Sequence, residues 1–290
     1  MSDSPPAASD VPRGILLMTA GCALLTVNDS IMKSLTAGYP TGETIFVRGL
    51  FVAIPIALLV VRAGGLHTLR VTNFRGQLLR AALLAGSMFL FVTSLRFLPL
   101  ADAVALTFAG PLILTAVAPW ALGERVGWRR RCAVAVGFAG VLIMLAPGGE
   151  GLRWAAFLPL GTAFFEAARD IVTRRLVATE SSLSLTACSL GFVTLCALAT
   201  AGHGWRPMSV PDIGLLAIAG CCVSVAFVLM TEAFRLAEAS LVAPFRYSSV
   251  LWAMLIGTIA FGDWPSPAML AGACLVVGSG LYILHREGRR

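Results

Sequence analysis

The sequence predicts an all-α integral membrane protein: ten transmembrane helices forming two five-helix repeats, the second inverted relative to the first. Three observations carry this. Of the 290 residues, 58% are hydrophobic and 13% charged, with a mean hydropathy of +0.85. Soluble domains carry about 25% charged residues, so a soluble core of this size would leave too much apolar surface uncovered. Second, apolar runs of about 20 residues, the length that spans a bilayer, recur along the whole chain. Third, a polar device repeats. Asp29, Lys33 and Leu35 correspond to Asp170, Arg174 and Leu176 at a constant offset of 141 residues.

The predicted spans are approximately residues 14–35, 43–62, 80–98, 101–122, 131–147, 153–173, 182–201, 212–232, 240–261 and 268–285. The polar segment 1–12 reads as a disordered tail without the basic region of a signal peptide, so the first span is expected to be retained. Residues 13–148 form the first predicted repeat, 149–285 the second, and 286–290 a short tail. Pro99-Leu100-Ala101 and Pro265-Ser266-Pro267 leave room only for tight turns between antiparallel neighbours.

With both termini placed in the cytoplasm, 15 basic residues fall on the inner side, among them Arg129 to Arg131, and 4 on the outer. This bias favours both ends inside. Five spans per half then turn the second copy over. At an offset of 139, Arg96 meets Arg235, Gly123 meets Gly262 and Glu124 meets Asp263. Inverted repeats are a recurring plan of secondary transporters, with the substrate near midplane.

Two five-span halves, a polar cluster late in the first span, and Leu122-Gly123-Glu124 closing the fourth resemble the drug/metabolite transporter superfamily, EamA type. The matching end of the ninth span is Phe261-Gly262-Asp263. The likeness covers nearly the whole chain and extends to the ten-span, YddG-type amino-acid exporters. Asn28-Asp29 through Lys33, with Phe46-Val47-Arg48, also resembles the subgroup containing S-adenosylmethionine and riboflavin importers.

The sixth span is the most polar. Helical spacing puts Thr162, Phe165, Glu166, Arg169 and Thr173 on one stripe. Asp170 and Arg174 continue it, either as an internal ion ladder or as a cavity wall. Intramembrane ionisable groups face a bundle interior or a wet cavity. Asn28 offers a neutral amide to a zwitterion. Asp29 and Lys33, four residues apart, are expected to pair and seal one end of the bundle. Arg48 is expected to snorkel to the outer headgroups, or to pair inside with Glu43 or Asp29. Pro244 precedes Arg246 and Tyr247, and Pro111 follows Phe108, so each proline marks an expected helix break beside an aromatic. Among the aromatics, Phe108, Phe165 and Tyr247 are carried as binding candidates, and Phe227 is set aside. Ala133-x-x-x-Gly137 and Ala268-x-x-x-Gly272 are close-packing patterns, within one chain or between two.

The function expected is export of amino acids and related metabolites across a bacterial-type inner membrane by alternating access. The alternative is import of S-adenosylmethionine or riboflavin. An intramembrane metalloprotease is disfavoured, because no HExxH motif is present, and a receptor without flux is a further, lesser alternative. No GxxxxGK[ST] loop marks ATP use. The seven cysteines lie in or beside apolar runs and read as packing residues. No cofactor, metal or nucleic-acid partner is expected; the partners are a small-molecule substrate and the bilayer, and the protein is a monomer or homodimer.

Overall fold

The computed structural model describes residues 10–121, 127–145, 154–176, 179–236 and 239–287. Twelve α-helices account for most of these residues: α1 Val11–Thr36, α2 Thr41–Arg62, α3 Phe74–Ser94, α4 Leu100–Thr107, α5 Ala109–Ala121, α6 Trp128–Leu145, α7 Phe157–Leu176, α8 Ser182–Leu198, α9 Val210–Leu236, α10 Ala239–Val242, α11 Ser248–Phe261 and α12 Pro267–Glu287. They make ten passes. The fourth is α4 plus α5, and the ninth is α10, a 3-10 segment Ala243–Tyr247 and α11. Five passes are long and apolar enough to cross a membrane by that measure alone. Several of the rest are short, or charged along one side as in α7.

Local chemistry sets the ends. Asn73 Oδ1 accepts the Gly76 N–H at 2.9 Å and starts α3 ahead of its apolar run, so this pass lies earlier than the predicted 80–98. Ser181 caps α8 through the Ser184 N–H at 3.0 Å. Gly262 ends α11 with φ of +69°, the left-handed turn that glycine adopts without strain.

Packing follows the duplication. α1 runs along α9 and α3 along α7, two pairings that exchange under the repeat. α2 lies on α8 and α6 on α12, pairings that map onto themselves. The start of α1 and the end of α12 share one face, called near; the opposite face is far. Exposed Trp120 and Trp128 mark the near rim, Trp154 and Trp264 the far rim, as interface anchors do.

Side-chain ties group the passes into two three-helix bodies. On the far face Tyr39 Oη donates to Asp212 Oδ2 at 2.7 Å, and Glu43 accepts the Arg206 N–H at 3.2 Å, binding α1, α2 and α9. On the near face Arg80 donates to Thr173 Oγ1 and the Leu185 carbonyl, both at 2.8 Å, binding α3, α7 and α8. The glycine pattern is used within the chain: a Cβ on Gly140 would come within 2.7 Å of the Gly272 carbonyl oxygen, so α6 and α12 touch backbone to backbone.

Glu180, in the connection before α8, accepts the N–H groups of Asn73 (2.6 Å) and Thr72 (2.8 Å) and the Gln77 amide (2.8 Å). The Asn73 N–H, then Gln77 and Thr72, hold its carboxyl below the usual glutamate range. A lowered folded value stabilises the fold above the unfolded value, about pH 4.3, and that gain fades as pH falls through the folded one. Glu180→Gln is therefore expected to lower the thermal midpoint in detergent at pH 7. The gap to the wild type should narrow at acid pH; a constant gap would contradict this role.

Candidate functional site

A cavity of about 560 Å³ lies between the two bodies, and both broken passes line it. Pro111 has no N–H to continue the helix through Phe108, whose own N–H bonds the Ala105 carbonyl at 3.2 Å in a tightened turn. In the ninth pass Pro244 sits in the 3-10 segment, and the Cys22 thiol faces the carbonyls of Phe245 (3.9 Å) and Arg246 (3.7 Å).

Phe108 and Tyr247 are related by the 139-residue offset, and their rings meet with centroids 4.7 Å apart and planes tilted by 33°. The pseudo-two-fold relation therefore passes between two aromatic rings at the two breaks. Gly280 makes room for the phenol: a Cβ there would run into Tyr247 Oη.

Charges of both signs ring this pair. Asn28, Asp29, Arg48, Glu166, Arg169, Asp170, Arg174 and Arg246 all line the cavity. Arg169 bonds Asp170 through Nη2 at 2.8 Å and Nε at 3.1 Å, an ion pair between adjacent residues of α7. Glu166 feels Arg169, Asp170 and Arg246 electrostatically.

Arg48 does not snorkel. It is 6% exposed, donating from Nη1 to Asn28 Oδ1 at 3.2 Å, with Nη2 2.9 Å from Met88 Sδ. α2 turns this position toward α1 and α3, away from lipid. Asn28 in turn donates to Asp29 Oδ1 at 2.9 Å.

The expected Asp29–Lys33 pair is replaced. The Lys33 ammonium lies 3.0 Å from Asp263 Oδ2, 2.7 Å from the Leu98 carbonyl and 5.1 Å above the Phe261 ring. Its long side chain reaches the turn after α3 and the end of α11, where a carboxylate and an open carbonyl satisfy it better than a helix neighbour does. Lys33 therefore joins three passes at the far face. Beside it Met32, Leu35, Leu98 and Leu100 form a dry core. The cavity is closed on that side and reaches toward the near face, where Arg130 and Arg174 line it.

Phe165 lies outside the cavity. It packs where a Cβ on Gly86 would meet its ring at 2.8 Å, and stands edge-on to Phe164 at 6.3 Å. Phe227, set aside from the sequence, does line the wall, as do Phe91 and Thr26. No spacing separates these from ordinary packing residues. Leu122-Gly123-Glu124 lies outside the described residues.

Residues 12–146 and again 153–284 match the EamA-like transporter family, and the chain belongs to it. It is thus a membrane transporter of the drug/metabolite superfamily and not an enzyme. It is 27% identical to an S-adenosylmethionine uptake transporter of Rickettsia bellii over 262 residues, 90% of each chain. It is 32% identical to a riboflavin transporter of Rhizobium johnstonii over 228 residues, 78% of this chain and 75% of that one. A pseudopaline exporter of Pseudomonas aeruginosa is 25% identical over 91% of this chain and 93% of its own. One crystal structure shares the fold, with a TM-score of 0.65, 19% identity and coverage of 96% and 99% of the two chains.

Gly280→Ala is expected to displace Tyr247 and reduce transport, since overpacking costs about 1–3 kcal/mol. Adding Tyr247→Phe, which removes the nearest clashing atom and leaves the ring Cζ at 2.6 Å, should restore part of the loss. Uptake by the single and double variants, normalised to folded protein, measures this.

Proposed function

We propose that the chain is a secondary transporter that takes up a bulky, ring-bearing metabolite of the S-adenosylmethionine or riboflavin kind, by alternating access across an inner membrane. The observation that carries this is the aromatic pair Phe108–Tyr247 flanked by Arg169, Arg246 and Glu166 in a cavity of about 560 Å³. Ligand pockets run from about 300 to 1,000 Å³, so the space suits a flat heterocycle with a polar arm better than a single small amino acid. S-Adenosylmethionine uptake and riboflavin transport recur among the names of the similar relatives, which moves amino-acid export from the leading reading to the second. That one relative is named an exporter favours keeping export as an outcome of the test.

In this reading the near face is cytoplasmic, consistent with the arginine bias. With that orientation the cavity opens inward. Lys33 and Asp263 lock the far side until the bodies α1/α2/α9 and α3/α7/α8 turn against each other. The Arg169–Asp170 pair and Glu166 face the path the solute takes to the near side.

Counterflow in proteoliposomes with labelled S-adenosylmethionine, riboflavin and an amino-acid panel tests the substrate class. Exchange of either large solute above the amino acids is expected; exchange of amino acids alone would overturn the proposal. The lock is tested in a background free of native cysteines, with a reporter cysteine at Val92. Lys33→Met or Asp263→Asn should raise far-side thiol labelling about tenfold, a shift of about 1.4 kcal/mol in the balance of states. Unchanged labelling would remove the lock from the mechanism.

A further inference from the structure

We infer that Asn28, Asp29 and Arg48 form a subsite for an α-amino-acid head group, so the transported metabolite carries a zwitterionic carboxylate and ammonium beside its ring. This deepens the uptake reading and rests on it.

The three residues stand where the cavity meets its closed end. Arg48 is nine-tenths buried, yet its Nε has no hydrogen-bond partner among the described residues. Its two other nitrogens are held by Asn28 Oδ1 and Met88 Sδ, which fix the plane of the guanidinium. A thioether is a weak acceptor, so most of the donor capacity of this buried cation is unmet. A carboxylate is the partner whose planar fork matches a guanidinium.

Asp29 supplies the opposite pole. Asn28 Nδ2 occupies its Oδ1, and no bond is made by Oδ2 among the described residues. An ammonium group is the complement of a carboxylate oxygen facing a cavity. Asn28 bridges the two charged groups, accepting from Arg48 and donating to Asp29, and so keeps them from collapsing into a direct pair. Two opposite charges held apart by an amide present the inverse of an amino-acid zwitterion. The Phe108–Tyr247 rings line the same cavity and give a tethered heterocycle a surface to rest on. A flavin with a neutral polyol arm leaves both poles unfilled, so the subsite selects S-adenosylmethionine over riboflavin.

The test uses inhibition of labelled S-adenosylmethionine and riboflavin exchange in proteoliposomes of the full chain. S-Adenosylhomocysteine, which keeps the amino-acid head and lacks the sulfonium charge, should compete within about threefold of S-adenosylmethionine. Decarboxylated S-adenosylmethionine and 5′-methylthioadenosine should be weaker by about 10- to 100-fold, the scale of a hydrogen bond to a charged group. Arg48→Met should raise KM for S-adenosylmethionine by a similar factor and erase the preference over the decarboxylated analogue; Arg48→Lys should recover part of it. The analogue series on the wild type stands even if a variant fails to fold. Decarboxylated S-adenosylmethionine competing as well as the parent would overturn the subsite. Exchange of riboflavin without S-adenosylmethionine would overturn the subsite and leave the uptake reading intact. Exchange of neither solute would overturn both.

Discussion

A charge at membrane depth persists only where protein or water meets it. Inserting Asp, Lys or Arg at a helix centre costs about 2.5–3.5 kcal/mol on insertion scales, and a broken helix exposes backbone groups that lipid cannot satisfy. This chain carries eight charged residues on one cavity wall and two broken passes beside them. The arrangement of the bundle follows from keeping all of these out of acyl chains. α6 and α12, glycine-packed against each other, hold no acidic residue in their apolar stretches, and α1, α2 and α7 turn Asp29, Arg48, Glu166 and Arg169 toward the cavity.

The breaks and the duplication are one device. Because Phe108 and Tyr247 occupy equivalent places in the two copies, a rearrangement that exchanges the roles of the copies leaves their contact nearly in place. At the far end the closing contact is ionic and carbonyl-bound, with Lys33 reaching Leu98 and Asp263, and is backed by a dry core. An ionic contact of this kind weakens when water enters, whereas the ring contact on the axis does not depend on dryness. In the proposed alternating-access cycle this gives a water-sensitive closure and a water-tolerant pivot.

The ten passes were legible as recurring apolar runs, because hydrocarbon thickness imposes one ruler on every pass, although among the described residues five meet that ruler in full. Glu166, Arg169, Arg246 and Tyr247 were readable as cavity residues, since a polar group in an apolar run has few other places to go. Partners were not readable. Lys33 finds Asp263 across 230 residues of chain, and helical spacing could propose only its neighbour Asp29. Arg48 stands far enough from its helix end that either lipid headgroup or bundle could have received it; the rotation of α2 decided. Phe165 lies on the edge of the polar stripe of α7, where a small turn of the helix exchanges cavity for the Gly86 notch.

The ties at the two faces bear on the unit of folding. Tyr39–Asp212 and Glu43–Arg206 stitch first-half helices to a second-half helix, and the Arg80 and Glu180 clusters do the converse. Each three-helix body is therefore braided from both copies. A chain severed in the connection after α6 would yield two fragments that each lack a complete body. Neither fragment is a domain in the ordinary sense; each is the template on which the other is completed, as subunits are in an obligate heterodimer.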